Sequence, residues 1–259
     1  MHNFIKIFIF FPSILFSQTY YVKYSENRII SKEALTQYPE SLRNEVLKSN
    51  YYDLIFTSSQ SFYKNSLTTI NKENSESTKS EEQEGQNIKV KENTTTIINQ
   101  AAEKWFYMEA LNNLMTFHLF NAGKEWFGKD IPVNWDWEIT NETNTINGFL
   151  CKKAISKTYT GNFVWFTEDI PINAGPEKFS GLPGLIVYAA NRGQEWNATE
   201  IVSKKETVKI DVPSLPEKTN TLPEVMDYVK NKMDNIKQGV ETKVDGNATI
   251  TTTTKILKN

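Results

Sequence analysis

The sequence predicts a mainly β (α+β) chain: a single curved antiparallel sheet, or partial barrel, with one carboxyl-terminal helix packed on it. Three observations lead there. Between Trp105 and Ser203, short aromatic or β-branched runs are divided by the turn triplets Asn121-Ala122-Gly123, Thr160-Gly161-Asn162 and Asn191-Arg192-Gly193, the spacing of a meander. A hydrophobic content of 39% and an aromatic content of 12% in 259 residues supply one sizeable core. Only Thr221 to Gly239 combines a helix start signal with sustained helical spacing of apolar residues.

Taken in order, the chain opens with Lys6, an apolar run from Ile7 to Phe16 broken by Pro12 and Ser13, and then Leu15-Phe16-Ser17 before polar Gln18. That is the three-part layout of a cleavable secretory signal over residues 1–17, with a run shorter than the roughly 20 residues a bilayer span needs. No cysteine follows the run, so the mature chain is expected to be exported without a lipid anchor, into the periplasm or beyond the cell. Residues 18–259 are expected to form one domain. Tyr20 to Ile30 suits a first strand, Glu40 to Lys48 a short helix behind Pro39, and Tyr51 to Tyr63 a second strand on the even spacing of Leu54, Phe56, Ser58 and Phe62. Composition breaks over residues 67–100: Asn71 to Glu92 holds no aromatic residue, so it cannot bury enough surface to offset its ordering entropy. A mobile polar insertion is expected there.

The meander follows. Its expected strands are Trp105 to Glu109, Leu114 to Phe120, Lys124 to Ile131, Asn134 to Thr140, Thr145 to Thr158, Asn162 to Phe166, Leu185 to Ala190 and Gln194 to Val202. Alternation puts Trp135 and Trp137 on one face, and Val164 with Phe166 on one face of theirs. Thr221-Leu222-Pro223-Glu224 has capping-box spacing with proline early in the helix, and the stripe runs through Val225, Met226, Val229, Met233 and Ile236. Ala248 to Leu257, with four successive threonines, reads as an edge strand.

Charge and residue inventory exclude several classes. With 29 basic and 31 acidic residues there is no basic footprint for nucleic acid and no polybasic run for anionic lipid; no second apolar stretch suggests a membrane span in the mature chain. Cys151 is the single cysteine, so no internal disulfide forms; strand alternation sets it beside Phe149 as a buried, inert thiol. His118 is the one histidine beyond the signal, which removes zinc sites built on several histidines. A hydrolase using His118, or Asp136 with Glu138 two residues apart, is an alternative without a nucleophile elbow to support it. No phosphate-cradling glycine loop, CxxC pair, calcium loop or dinucleotide fingerprint occurs, so no catalytic, metal or cofactor residue is assigned. Most of the six tryptophans are expected in the core, with Trp135, Trp137 and Trp165 as candidates for a groove that binds a ligand, an apolar small molecule being the second reading.

The densest local signal is Asp169 to Ala190. Pro183-Gly184 suits the centre of a type II turn, with positive φ expected at Gly184, and Gly175-Pro176 makes an earlier bend. The loop pinned between them is expected to present Glu177, Lys178 and Phe179 to a partner. Here the chain resembles the GLPGLI family, whose naming string stands intact as Gly181, Leu182, Pro183, Gly184, Leu185 and Ile186. The likeness extends through Trp137, Ile146 to Ala154, Trp165-Phe166-Thr167 and Ile170-Pro171-Ile172, and covers Asn134 to Ile201 closely. The resemblance implies an exported cell-envelope protein of Bacteroidota type, of unknown function, with no assigned catalytic residues. It also implies a protein partner among outer-membrane transport components, by association alone. A noncatalytic binding or interaction role is the expectation.

Overall fold

A computed structural model describes residues 18–66, 72–83, 86–97, 103–206 and 208–237. The expected signal segment, the helix end near Gly239 and the strand expected over Ala248 to Leu257 lie outside the described residues.

Eleven strands form one open antiparallel sheet. In chain order they are β1 (Thr19–Arg28), β2 (Asn50–Phe56), β3 (Gln60–Asn65), β6 (Trp105–Glu109), β7 (Leu114–Asn121), β8 (Lys124–Asp130), β9 (Trp137–Ile146), β10 (Phe149–Ser156), β11 (Phe163–Thr167), β12 (Leu185–Ala190) and β13 (Gln194–Lys204). Their order in the sheet is β8-β7-β6-β3-β2-β1-β13-β12-β11-β10-β9, so each half is a run of hairpins and β1 closes onto β13 at the centre. Helices α1 (Lys32–Thr36) and α2 (Glu40–Val46) lie in the β1–β2 connection, with no buried residue in either.

The meander is where expected. Two boundaries are not. Tyr51 to Tyr63 is a hairpin, not one strand: Thr57 to Gln60 turns the chain, so the inward set changes from Leu54 and Phe56 to Ser61 and Tyr63, and Phe62 faces the other way. The expected strand over Thr145 to Thr158 is cut by a turn at Asn147 and Gly148, both at positive φ (53° and 82°), as a two-residue Asn-Gly hairpin requires. The polar stretch expected to be a mobile insertion contains β4 (Lys72–Gln83) and β5 (Gln86–Ile97), a separate two-stranded sheet.

The sheet's two edges differ. At β8, Asn220 accepts from Lys129 N (3.0 Å) and donates to Phe127 O (2.9 Å). There α3 (Leu222–Lys237) begins with the expected capping box: Thr221 N donates to Glu224 Oε2 at 2.8 Å and Glu224 N to Thr221 Oγ1 at 3.4 Å. Val225 is buried and Tyr228 meets Trp126 edge-on at 5.0 Å, whereas Met226 and Met233 stay exposed. At β9, Thr140, Asn141 and Glu142 stand opposite Lys153 alone, a bulge that twists the free edge out of register. No helix among the described residues is long and apolar enough to cross a membrane.

One face of the sheet carries the main core. A single lateral row shows its make-up: Ala154, Val164, Ala189, Trp196 and Glu26 are successive cross-strand partners, and all are buried. The connection between β11 and β12 lies over this face and delivers Ile170, Ala174, Phe179 and Leu182 to the same cluster. On the other face, Trp105 and Tyr107 form a second small core with Ile210 from the segment that follows β13.

Candidate functional site

The β11–β12 loop is held by two devices. The first is aromatic. Trp135 stacks on Phe179 (4.5 Å, 14°) and on Trp137 (5.2 Å, 17°), while Tyr159 and Trp196 close the group edge-on. Both indole nitrogens serve the loop backbone: Trp135 Nε1 donates to Lys178 O at 3.2 Å and Trp137 Nε1 to Ser180 O at 2.8 Å. The two tryptophans stack together although the left-handed Asp136 between them breaks the strand alternation expected to align them, and they grip the loop instead of lining an open groove.

The second device is ionic. The Lys104 ammonium sits between Glu26 and Glu177, donating to both, with Glu177 Oε1 at 2.5 Å, and lies 4.3 Å from the Tyr52 ring centre. Lys178 Nζ meets Glu177 Oε2 at 2.9 Å, and Trp196 Nε1 donates to Glu26 Oε2 at 2.8 Å. Burial alone would lift the Glu177 carboxyl, yet Lys104 and Lys178 outweigh it and bring it down to about 2. For Glu26 burial wins over Lys104, with Glu177 adding repulsion, and the carboxyl is raised. Burial pulls Lys104 down, but the two carboxylates dominate and hold it charged well above its ordinary range. Two carboxylates that share one ammonium are pushed apart, and the one with two cations keeps its charge. Glu177 also holds a left-handed φ of 49°, a conformation uncommon for a side chain this size and fixed by these partners. Tyr63 OH is buried beside the group without a hydrogen-bond partner among the described residues.

The expectation that Glu177, Lys178 and Phe179 face a partner is corrected by this placement: Glu177 is 7% and Phe179 1% exposed, and Lys178 reaches back to Glu177. The loop is pinned to the sheet because its longest side chains find their counter-charges and aromatic partners there.

The Gly181 to Ile186 string works differently from the expected turn. Gly184 does not have positive φ; Gly181 does, at +91°. A Cβ at Gly184 would stand 2.0 Å from Thr167 O, so this glycine permits two backbones to touch. Pro183 is exposed, while Leu182, Leu185 and Ile186 are buried. Gly175 and Pro176 are buried as well; a Cβ at Gly175 would approach Phe179 O to 2.6 Å. Leu185 N bonds Ile170 O and Ile186 N bonds Ala174 O, so the string threads into β12 while the loop lies against it. Tyr24 OH, from the central strand, bonds Ile186 O at 2.6 Å.

The hydrolase candidates are not brought together into such a group. Asp136 has φ 45°, which breaks the alternation that would set it beside Glu138, and both are exposed. His118 is 3% exposed, stacked on Phe127 at 4.4 Å, with Nε2 2.8 Å from Glu125 Oε1; its Nδ1 and Thr116 Oγ1 are buried without a partner among the described residues. Cys151 is buried, its thiol bonded to Phe149 O at 3.4 Å and its pKa raised by burial. Among the described residues no group of three His, Cys, Asp or Glu side chains is placed for a metal ion.

Trp165 lies elsewhere, on the face opposite the loop. Cross-strand register aligns Lys153, Trp165, Tyr188, Asn197 and Ser25 in one lateral row, and Ile155, Phe163, Ala190, Glu195 and Asn27 in the next. Phe163, Trp165 and Tyr188 are all half-buried; Phe163 and Tyr188 belong to neither core cluster, whereas Trp165 also packs against the main one. Their rings are 5.8 Å apart, with the Lys153 ammonium 5.3 Å from Phe163 and 5.9 Å from Trp165. Tyr188 OH donates to Glu195 Oε2 at 2.9 Å; burial and then this carboxylate push the phenol up to about 12. Sequence reading singled out Trp165 and missed Phe163 and Tyr188, because their adjacency depends on which strands pair.

A family described as "Protein of unknown function (Porph_ging)" matches residues 155–188, from the end of β10 through the loop and most of β12. That segment includes the Gly181 to Ile186 string and all three half-buried aromatics, and the family is associated with Bacteroidota. No curated protein matches the chain. Among solved structures, PNGF-II in its P21 crystal form is similar at 17% identity with a TM-score of 0.48, over 83% of this chain and 34% of that one. The chain thus spans about a third of that protein's length.

Proposed function

We propose that this chain is an exported, noncatalytic binding protein of the cell envelope, a GLPGLI-type domain, and that it binds through the outer face of β10 to β13. The observation that carries the reading is the division of labour between faces. The inner face is occupied by the chain's own loop, held by Trp135, Trp137, Lys104 and Glu26. The outer face leaves Phe163, Trp165 and Tyr188 half-exposed beside amide and carboxylate groups. A carrier reading places an apolar ligand on the inner face, where Phe179 and Leu182 already lie. Export is supported by the residue order of 1–17, and the envelope setting by the motif resemblance.

The test is retention. Purified residues 18–259 are mixed with the envelope fraction of the host cell and sedimented. Retention of the wild type that falls in Trp165→Ala and Tyr188→Ala, both shown folded by thermal melt, is the expected result. Equal retention of wild type and both variants sinks the reading.

A further inference from the structure

We propose, resting on that binding reading, that the ligand of the outer strip is a neutral glycan whose sugar rings lie on Phe163, Trp165 and Tyr188. Three properties of the strip choose this occupant. The first is shape: strands about 4.8 Å apart, with same-face rows about 7 Å apart along them, set the three rings side by side as a shallow platform. Such a platform suits a ligand with flat apolar faces repeated along its length, which is how a pyranose ring meets an aromatic one.

The second is charge. Every charged side chain in these two rows already has a partner. Lys153 Nζ is 3.0 Å from both Glu142 carboxylate oxygens, and Glu195 accepts from Tyr188 OH at 2.9 Å and Asn27 Nδ2 at 3.2 Å. A basic or acidic polymer would find no uncompensated field here, and displacing these pairs would cost what it gained. An uncharged ligand meets no such obstacle.

The third is hydrogen-bonding capacity. Asn197, directly across from Tyr188, has no side-chain partner among the described residues, and Glu195 and Lys153 are only partly buried. Amide, carboxylate and ammonium groups beside an aromatic ring match a ring edge of alternating hydroxyls, each both donor and acceptor. A lipid chain would leave these groups unpaired.

The experiment is isothermal titration of residues 18–259 with three neutral hexasaccharides, cellohexaose, chitohexaose and mannohexaose, and with hexagalacturonate as the charged comparison. The expected result is binding of at least one neutral oligomer. Affinity should fall about tenfold or more in Trp165→Ala and in Tyr188→Ala, roughly the size of one lost aromatic platform. It should be unchanged in Leu111→Ala, a turn residue 85% exposed on the other half of the sheet. Binding of hexagalacturonate in preference to the neutral oligomers overturns the neutral-glycan assignment, as does neutral binding that survives both strip variants. Envelope retention that depends on the strip but is not competed by any hexasaccharide also overturns it, pointing to a protein partner and leaving the binding reading in place. Loss of retention dependence itself overturns the binding reading.

Discussion

The same half of the sheet carries two aromatic groups on opposite faces, and they are built differently. On the inner face, Trp135, Phe179 and Trp196 are each at most 4% exposed, every indole nitrogen has an acceptor, and the stack is welded to a buried ion group. On the outer face Phe163 and Trp165 of β11 and Tyr188 of β12 keep part of each ring in water. The contrast teaches that aromatic content alone does not locate a binding surface: the rings that look most concentrated in the sequence, at Trp135 and Trp137, are spent on holding the chain's own loop. Those left half-open have their polar neighbours arranged around them instead of under them.

If the inner group is structural, breaking it should cost far more than breaking the outer one. The largest effect is expected for Lys104→Met, which leaves Glu26 and Glu177 buried with too few counter-charges; such losses run to about 3–5 kcal/mol. Phe179→Ala, which empties the place between Trp135 and Trp196, falls in the same range, about 3–5 kcal/mol. Urea unfolding of each against wild type measures both. A loss below about 1 kcal/mol in Lys104→Met would show that the ion group is solvated and does not hold the loop.

Gly184→Ala comes next. The added methyl carbon has no room against Thr167 O, so the backbone must separate, at about 1–3 kcal/mol for an overpacked site. The same change at Gly181 acts through its positive φ and costs about 1 kcal/mol, since Trp137 is 3.6 Å from the new carbon. Equal costs at the two glycines would remove the distinction between close approach and backbone conformation drawn for this motif.

These glycines also show how far the sequence carries. The meander, the capped helix and the position of the loop were legible, because periodicity and turn chemistry are local. Which glycine turns and which one makes room was not: Pro183-Gly184 has turn composition, but Thr167, seventeen residues upstream, decides its role. Glu26, Lys104 and Glu177 carry no local pattern at all, being 78 and 73 residues from one another through Lys104 and joined only by the pairing of β1 through β2 and β3 to β6, which Lys104 precedes, and by the fold-back of the loop. The hairpin at Asn147-Gly148 was legible in principle, since Asn-Gly between apolar runs is a strong turn signal.

The ion group predicts a pH signature. The folded pKa of Glu177 lies near 2, below the unfolded value of about 4.3, so its carboxylate favours the native state above that value and the contribution is lost as pH falls towards 2. Glu26 is raised, so it acts in the opposite sense: native stability gains from its protonation and loses as pH rises past the unfolded value. Unfolding free energy measured from pH 5 down to pH 2 should therefore fall less steeply in Glu177→Gln than in wild type, and more steeply in Glu26→Gln. Parallel curves for all three proteins would mean that the carboxylates do not titrate as a linked pair.

The smallest stability effects are expected on the outer face. Tyr188→Ala removes a half-exposed ring and a hydroxyl whose partner, Glu195, retains Asn27 and solvent, so no buried group is stranded; the cost should be about 1 kcal/mol or less. Tyr188→Phe isolates the hydroxyl and should be near neutral for folding, while leaving the ring on which a ligand would lie. The pair of variants separates two explanations of the half-open rings. If they are an incompletely covered extension of the core, Tyr188→Ala will melt well below wild type and Tyr188→Phe will follow part of the way. If they are a surface kept open for contact, both variants will melt close to wild type, and only the loss of the ring will register in binding.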